Sequence, residues 1–111
     1  MQISFATNKL QKLCNSQKKM QGELGTICAA RLQRRLDELL AAVCLEDLRN
    51  LPQARCHELT GDYRGMLAVD LEQPKRLIFQ PDHDPRPEKD DGGLDWEQVI
   101  SVLILEIVDY H

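Results

Sequence analysis

Two histidines and one arginine are the residues whose types best suit chemistry on a phosphate: His57, Arg76 and the terminal His111. Histidine exchanges protons near neutral pH because its ordinary pKa is about 6.5, and the planar guanidinium of arginine matches phosphate oxygens. RNA can be cleaved by its own 2′-hydroxyl when a base removes that proton, an acid protonates the departing 5′-oxygen and a cation stabilises the phosphorane. The two histidines suit the proton transfers, and Arg76 suits the charge.

Each of these residues also has a purely structural interpretation. A histidine beside a turn, such as His57, is more often a capping or surface residue. Arg76 could pair with Asp70 or Glu72 across its hairpin, and a C-terminal His111 is usually a frayed end. Residue types alone therefore indicate an anion site and nothing more specific.

Other reactive motifs fail on spacing. The run 57–61 opens like a zinc-protease helix but lacks the second histidine, and the acidic cluster 82–84 lacks the glycine and glutamate positions of a calcium loop. Cys56 and His57 are neighbours on a predicted strand, so their side chains point to opposite faces and cannot form a nucleophile–base pair. We therefore expect no metal and no cofactor.

Charge is distributed unevenly along the chain. Residues 1–80 contain 12 Lys and Arg against 9 Asp and Glu, a net of +3, whereas residues 81–111 contain 2 against 9, a net of −7. The strongly basic signature of many nucleic-acid-binding proteins is therefore absent.

The four cysteines, at positions 14, 28, 44 and 56, form no Cys-x-x-Cys pair, and no signal sequence or membrane span is evident. We expect reduced thiols, a cytoplasmic location and no membrane partner.

The elements that must position these residues begin with a short strand at Ile3–Phe5. A helix is predicted from Lys9, capped by Asn8 or Thr7 and interrupted at Gly22 and Gly25. A second helix shows a clear amphipathic pattern. Its predicted buried face comprises Ala29, Leu32, Leu36, Leu39 and Val43, and its predicted polar face comprises Arg31, Arg34, Arg35 and Glu38.

The remainder of the chain reads as strands and turns. After a helical turn at 45–51, strands are predicted at 55–59, 65–71 and 75–80, and a central strand covered on both faces at 99–108. Residues 81–95 form an acidic polar loop. The pattern predicts one α+β domain over residues 1–111, with two N-terminal helices on one face of a mainly antiparallel, four- to five-stranded sheet.

Several segments in this order resemble the HigB-type (host inhibition of growth) toxins of the RelE/ParE superfamily. The likeness spans nearly the whole chain. It is carried by Lys9-Leu10-x-Lys12, Ala30-x-Leu32-x-x-Arg35-Leu36, Leu51-Pro52, Arg55-Cys56-His57-Glu58-Leu59-x-Gly61-Asp62-x-Arg64-Gly65, Arg76-Leu77-Ile78-Phe79-x-Pro81 and the terminal Ile107-Val108-Asp109-Tyr110-His111.

The resemblance implies a RelE/ParE-like fold and the toxin of a type II toxin–antitoxin system, an endoribonuclease that cleaves messenger RNA in the ribosomal A site. By matching position, His57 and His111 are the implied proton-transfer pair and Arg76 the phosphate clamp, with Tyr110 as a substrate-binding residue. The implied partners are the ribosome, messenger RNA and a HigA-like helix-turn-helix antitoxin, through which operator DNA is contacted indirectly.

The chain departs from the family at Thr60, where a lysine is usual, and in its acidic balance. Our hypothesis is that Arg64 or Lys75 supplies the missing charge and binds substrate. Two alternatives remain open: a ParE-like toxin that poisons DNA gyrase without a histidine pair, and a catalytically weakened relative that mainly binds its antitoxin.

Overall fold

A computed structural model describes residues 1–109 of the chain, so the predictions for Tyr110 and His111 lie outside the described residues. The elements run in the order β1 (Gln2–Phe5), α1 (Asn8–Cys14), α2 (Gln17–Leu24), α3 (Thr26–Ala41), β2 (His57–Glu58), β3 (Leu67–Asp70), β4 (Lys75–Pro81) and β5 (Ser101–Asp109). Short 3₁₀ helices occupy Leu45–Asn50, Gly61–Tyr63 and Trp96–Gln98. The α+β prediction is confirmed.

The five strands form one mixed sheet in the order β1-β5-β4-β3-β2. Strands β1 and β5 are parallel, and the other three pairings are antiparallel. The C-terminal strand β5 therefore lies inside the sheet, between β1 and β4. It is buried on one face only, because Leu103 and Leu105 stay half-exposed on the other, so the prediction of a strand covered on both faces is wrong.

The first predicted helix is divided in two. The side chain of Thr7 caps α1 by accepting the backbone N–H of Leu10 at 3.1 Å, as its residue type suggests. The break falls at Ser16, whose hydroxyl accepts the N–H of Lys19 at 3.2 Å and starts α2. Gly25, with φ of 82°, separates α2 from α3, whereas Gly22 lies within α2, so its predicted role as a break is wrong.

The long helix α3 departs from its predicted faces at two positions. Ala29, Leu32, Leu36 and Leu39 are buried as expected. Val43 is 79% exposed, because the helix ends at Ala41 and the chain is extended at Ala42. Arg35, expected on the polar face, is buried. All three of its guanidinium nitrogens donate hydrogen bonds within the fold. These bonds offset the free-energy cost of burying the charge.

The two faces of the sheet differ in what covers them. On the helix face, alternate strand residues such as Val69, Phe79 and Ile104 share one large core with the buried side chains of α1, α2 and α3. On the opposite face, which we call the far face, a small cluster centres on Leu59, Ala68 and Ile78. Among the described residues, that far-face cluster contains no side chain of α1, α2 or α3.

The acidic segment 81–95 is folded back on itself. Glu88 and Leu94 form an isolated antiparallel bridge, and the Lys89 N–H donates to the Gly93 carbonyl at 2.7 Å. Leu94 and Trp96 are buried in the main core, which anchors the end of the segment. No helix within residues 1–109 is long and apolar enough to cross a membrane.

Candidate functional site

The strand register places His57 and Arg76 on the same face of the sheet. His57 is opposite Ala68, and Ala68 is opposite Ile78. Directly opposite residues point to the same face, and residues two apart along a strand do so as well. Arg76, two residues before Ile78, therefore shares the far face with His57. Strand spacing and rise put their Cα atoms roughly 12 Å apart.

Asp70 is the centre of the polar network beside them. This buried residue is opposite Arg76 in the register. Its carboxylate accepts two hydrogen bonds from the guanidinium of Arg55, at 2.8 and 3.1 Å, and one from the Gln73 amide at 3.1 Å. The backbone carbonyl of Asp70 accepts a bond from Arg35 Nε at 2.8 Å. One acidic residue thus holds several cationic side chains in place.

Arg76 forms an ion pair with the same carboxylate, with 3.7 Å between Nε and Asp70 Oδ1. The structural interpretation of this arginine, pairing with Asp70 across the hairpin, is therefore confirmed. Its side chain is 18% exposed. Pairing with Asp70 fixes the arginine on the far face, so the ion pair is compatible with a phosphate-binding role as well as with a structural one.

The network combines three guanidinium groups with two carboxylates. Arg35 pairs with Glu38 on α3, and Arg55 and Arg76 both pair with Asp70. The hydrogen bonds from Arg55 to Asp70 raise the pKa of that guanidinium above its ordinary value. Glu106, opposite Ile78 in the register, adds a second carboxylate to the far face, so cationic and anionic side chains alternate there.

His57 is held by a backbone contact. Its Nδ1 lies 2.7 Å from the carbonyl oxygen of Arg55. A carbonyl only accepts hydrogen bonds, so Nδ1 is the donor in this pair and carries the proton. The neighbouring Glu58 points to the other face, where its carboxylate accepts a bond from Trp96 Nε1 at 3.1 Å.

The two residues that could replace the positive charge of the family lysine at position 60 lie in different parts of the structure. Arg64 is exposed and lines an open cavity of about 630 Å³ together with Thr60 and Arg86. Lys75 precedes Arg76 in β4, so alternation directs it away from the far face. It lines a separate cavity of about 400 Å³ with Lys9 and Asp109. Arg64, and not Lys75, therefore lines the same cavity as Thr60, together with the carboxylates of Glu58 and Glu88.

Cysteine and metal chemistry find little support in the described residues. Burial raises the pKa of the Cys56 thiol to about 12, so the reactive thiolate is rare at neutral pH. His83 Nε2 accepts the backbone N–H of Ile100 at 3.1 Å. Within residues 1–109, no group of three or more His, Cys, Asp or Glu side chains could hold a metal ion.

Sequence reasoning overlooked three residues of this site: Asp70 as its centre, Arg35 and Arg55. Arg35 sits on a helix face that the periodicity assigns to solvent. Asp70 carried a usable signal, since an acidic residue ends an otherwise apolar strand just before a tight turn. That turn sets the register that places Asp70 opposite Arg76. Arg55 could not be assigned to the site from the sequence, because it reaches Asp70 only when the chain after Pro52 folds against β3.

No protein-family model matches this chain, and no curated protein matches it either. The resemblance to the RelE/ParE superfamily therefore rests on the short motifs quoted above.

Proposed function

We propose that this protein is the toxin of a type II toxin–antitoxin system, a HigB-type, RelE/ParE-like endoribonuclease that cleaves messenger RNA in the ribosomal A site. The observation that carries this proposal is the placement of His57 and Arg76 on the far face of the sheet. A histidine to transfer a proton and a guanidinium to stabilise charge are among the groups that phosphodiester cleavage requires.

The proposed reaction needs no group outside the protein and its RNA. His57 Nε2 removes the proton of the 2′-hydroxyl, and that oxygen attacks the adjacent phosphorus. The bond to the 5′-oxygen breaks, His111 gives its proton to the departing oxygen, and a 2′,3′-cyclic phosphate and a 5′-hydroxyl remain. Arg76 stabilises the charge on the non-bridging oxygens. Each proton transfer contributes roughly a hundred- to ten-thousand-fold to the rate.

The remaining parts of the assignment follow from the resemblance. The ribosome and messenger RNA are the proposed targets, in the cytoplasm, and a HigA-like antitoxin is the proposed inhibitor. Arg64 is the proposed source of the charge that Thr60 lacks, because the two residues line the same cavity. Tyr110 is proposed to contact the substrate.

Induced expression without an antitoxin, followed by mapping of messenger RNA ends, tests this function. We expect growth arrest and new 5′ ends at A-site codons, and loss of both in His57→Ala and in His111→Ala. His83→Ala is the matched control, because it removes a histidine from the acidic segment and should leave cleavage intact. Arrest that persists in both site variants without new RNA ends would contradict the proposal.

A second candidate, a catalytically weakened relative that mainly binds its antitoxin, is favoured by the Asp70–Arg76 ion pair and by Thr60. In that case expression causes no arrest, while an antitoxin still binds. Arrest with DNA damage and no new RNA ends would instead indicate the ParE-like action on gyrase.

A further inference from the structure

Arg55 has an unusual backbone for its residue type. Its φ is 45°, and it is the one non-glycine residue with positive φ in the described part of the chain. A residue with a Cβ atom occupies this left-handed region uncommonly. Such a conformation persists where surrounding contacts enforce it, and it is concentrated at functional sites.

Contacts with the preceding turn and with β3 enforce this conformation. The Arg55 N–H donates to the Pro52 carbonyl at 3.2 Å, and the other contacts lead to β3. The guanidinium of Arg55 binds both carboxylate oxygens of Asp70, at 2.8 and 3.1 Å. The preceding residue, Ala54, accepts the backbone N–H of Asp70 at 2.8 Å. Asp70 is itself anchored through its carbonyl by the buried Arg35. The side chain and the backbone on either side of the strained residue are therefore tied to one strand.

The consequence falls on His57. The left-handed residue precedes β2, which begins at His57 and not at the predicted position 55. The Arg55 carbonyl oxygen lies 2.7 Å from Nδ1 of the imidazole. The hydrogen bond made by one ring nitrogen of a histidine determines whether the proton of the neutral ring lies on that nitrogen or on the other. With Nδ1 donating to the carbonyl, a neutral His57 keeps its lone pair on Nε2. A general base needs that lone pair on the nitrogen directed at the substrate.

We propose that Arg55 is a positioning residue for His57: its guanidinium, clamped by Asp70, holds its own carbonyl where it fixes the Nδ1–H tautomer. The effect on catalysis rests on the proposed function, whereas the tautomer does not. Asp70 thereby serves both functional side chains, Arg76 directly and His57 through Arg55.

Nitrogen NMR of the His57 ring tests the positioning without any substrate. At about two pH units above the ordinary histidine pKa, where the ring is neutral, we expect the wild-type protein to show the Nδ1–H tautomer. Arg55→Gly keeps a residue that adopts positive φ readily but removes the clamp, so we expect a mixture of tautomers. Arg34→Ala, which removes an exposed arginine of α3, should leave the wild-type signal unchanged.

A wild-type His57 protonated on Nε2 would overturn the proposal, even if the glycine variant failed to fold. So would an unchanged tautomer in a folded Arg55→Gly protein. On programmed ribosomes we expect Arg55→Gly to lower the single-turnover rate by about ten- to a hundred-fold, the scale of a misplaced catalytic group. An absence of cleavage by the wild-type protein would overturn the proposed function alone, since the tautomer is measured independently.

Discussion

The two faces of the sheet divide the molecule into a region that stabilises the fold and a region suited to chemistry. The core on the helix face contains 23 buried residues, whereas the far-face cluster contains 3. His57, Asp70 and Arg76 all lie on the far face, where few apolar contacts would be lost if a side chain changed. The comparison teaches that neighbouring residues can serve different faces of the sheet, as Cys56, packed against the main core, and His57, on the far face, do.

The largest effect on stability is expected in the core of the helix face. Leu32 is fully buried in α3, and truncation of such a leucine removes apolar contacts and leaves a cavity. We expect Leu32→Ala to lower the free energy of unfolding by about 2–5 kcal/mol, measured by urea denaturation. Leu40→Ala is the control, because that leucine is 57% exposed and its loss should be nearly neutral. Equal losses in the two variants would contradict the division of faces.

A second effect on stability is expected from pH, through two thiols packed against the same core. Burial raises the pKa of Cys14 to about 11 and that of Cys56 to about 12, from an ordinary value of 9.0. As the pH rises above about 9, the unfolded chain loses these protons before the folded chain does, so stability falls.

Urea titrations across this pH range check the thiol prediction. Stability should decline between about pH 9 and 11, and a Cys14→Ala/Cys56→Ala protein should decline less steeply. Identical slopes would show that burial does not raise the pKa of these thiols, and would contradict the prediction.

The smallest effect is expected at the boundary between α1 and α2. The hydroxyl of Ser16 caps α2 through the Lys19 N–H, so Ser16→Ala should destabilise the protein by about 1 kcal/mol. Ser4→Ala, at an exposed position of β1, serves as the control. Thermal unfolding of both variants measures the difference, and a Ser16→Ala protein as stable as the control would show that the break between α1 and α2 does not depend on the cap.

Local patterns in the sequence were sufficient for much of the fold. Alternation predicted β1, turn residues on either side of a strand-like run predicted β4, and residue type narrowed the cap of α1 to Asn8 or Thr7, of which the structure uses Thr7. The errors arose where tertiary contacts override local preference. Arg35 is buried because partners in distant segments satisfy it, and Val43 is exposed because α3 ends before it.

The candidate site was less accessible to sequence reasoning. His57 and Arg76 could be named from their chemistry, but their shared face depends on the register of three strands. Asp70 was visible only as a possible partner of Arg76. The left-handed backbone of Arg55 could not be anticipated, because nothing in its residue type favours positive φ.

The central claim is that His57 acts in chemistry on the far face and contributes little to stability. The most direct test compares purified wild-type and His57→Ala proteins for single-turnover cleavage of messenger RNA on programmed ribosomes, with urea unfolding measured in parallel. The account predicts a rate lower by about a hundred- to ten-thousand-fold and an unfolding free energy within about 0.5 kcal/mol of the wild type. An unchanged cleavage rate in a folded His57→Ala protein would contradict it.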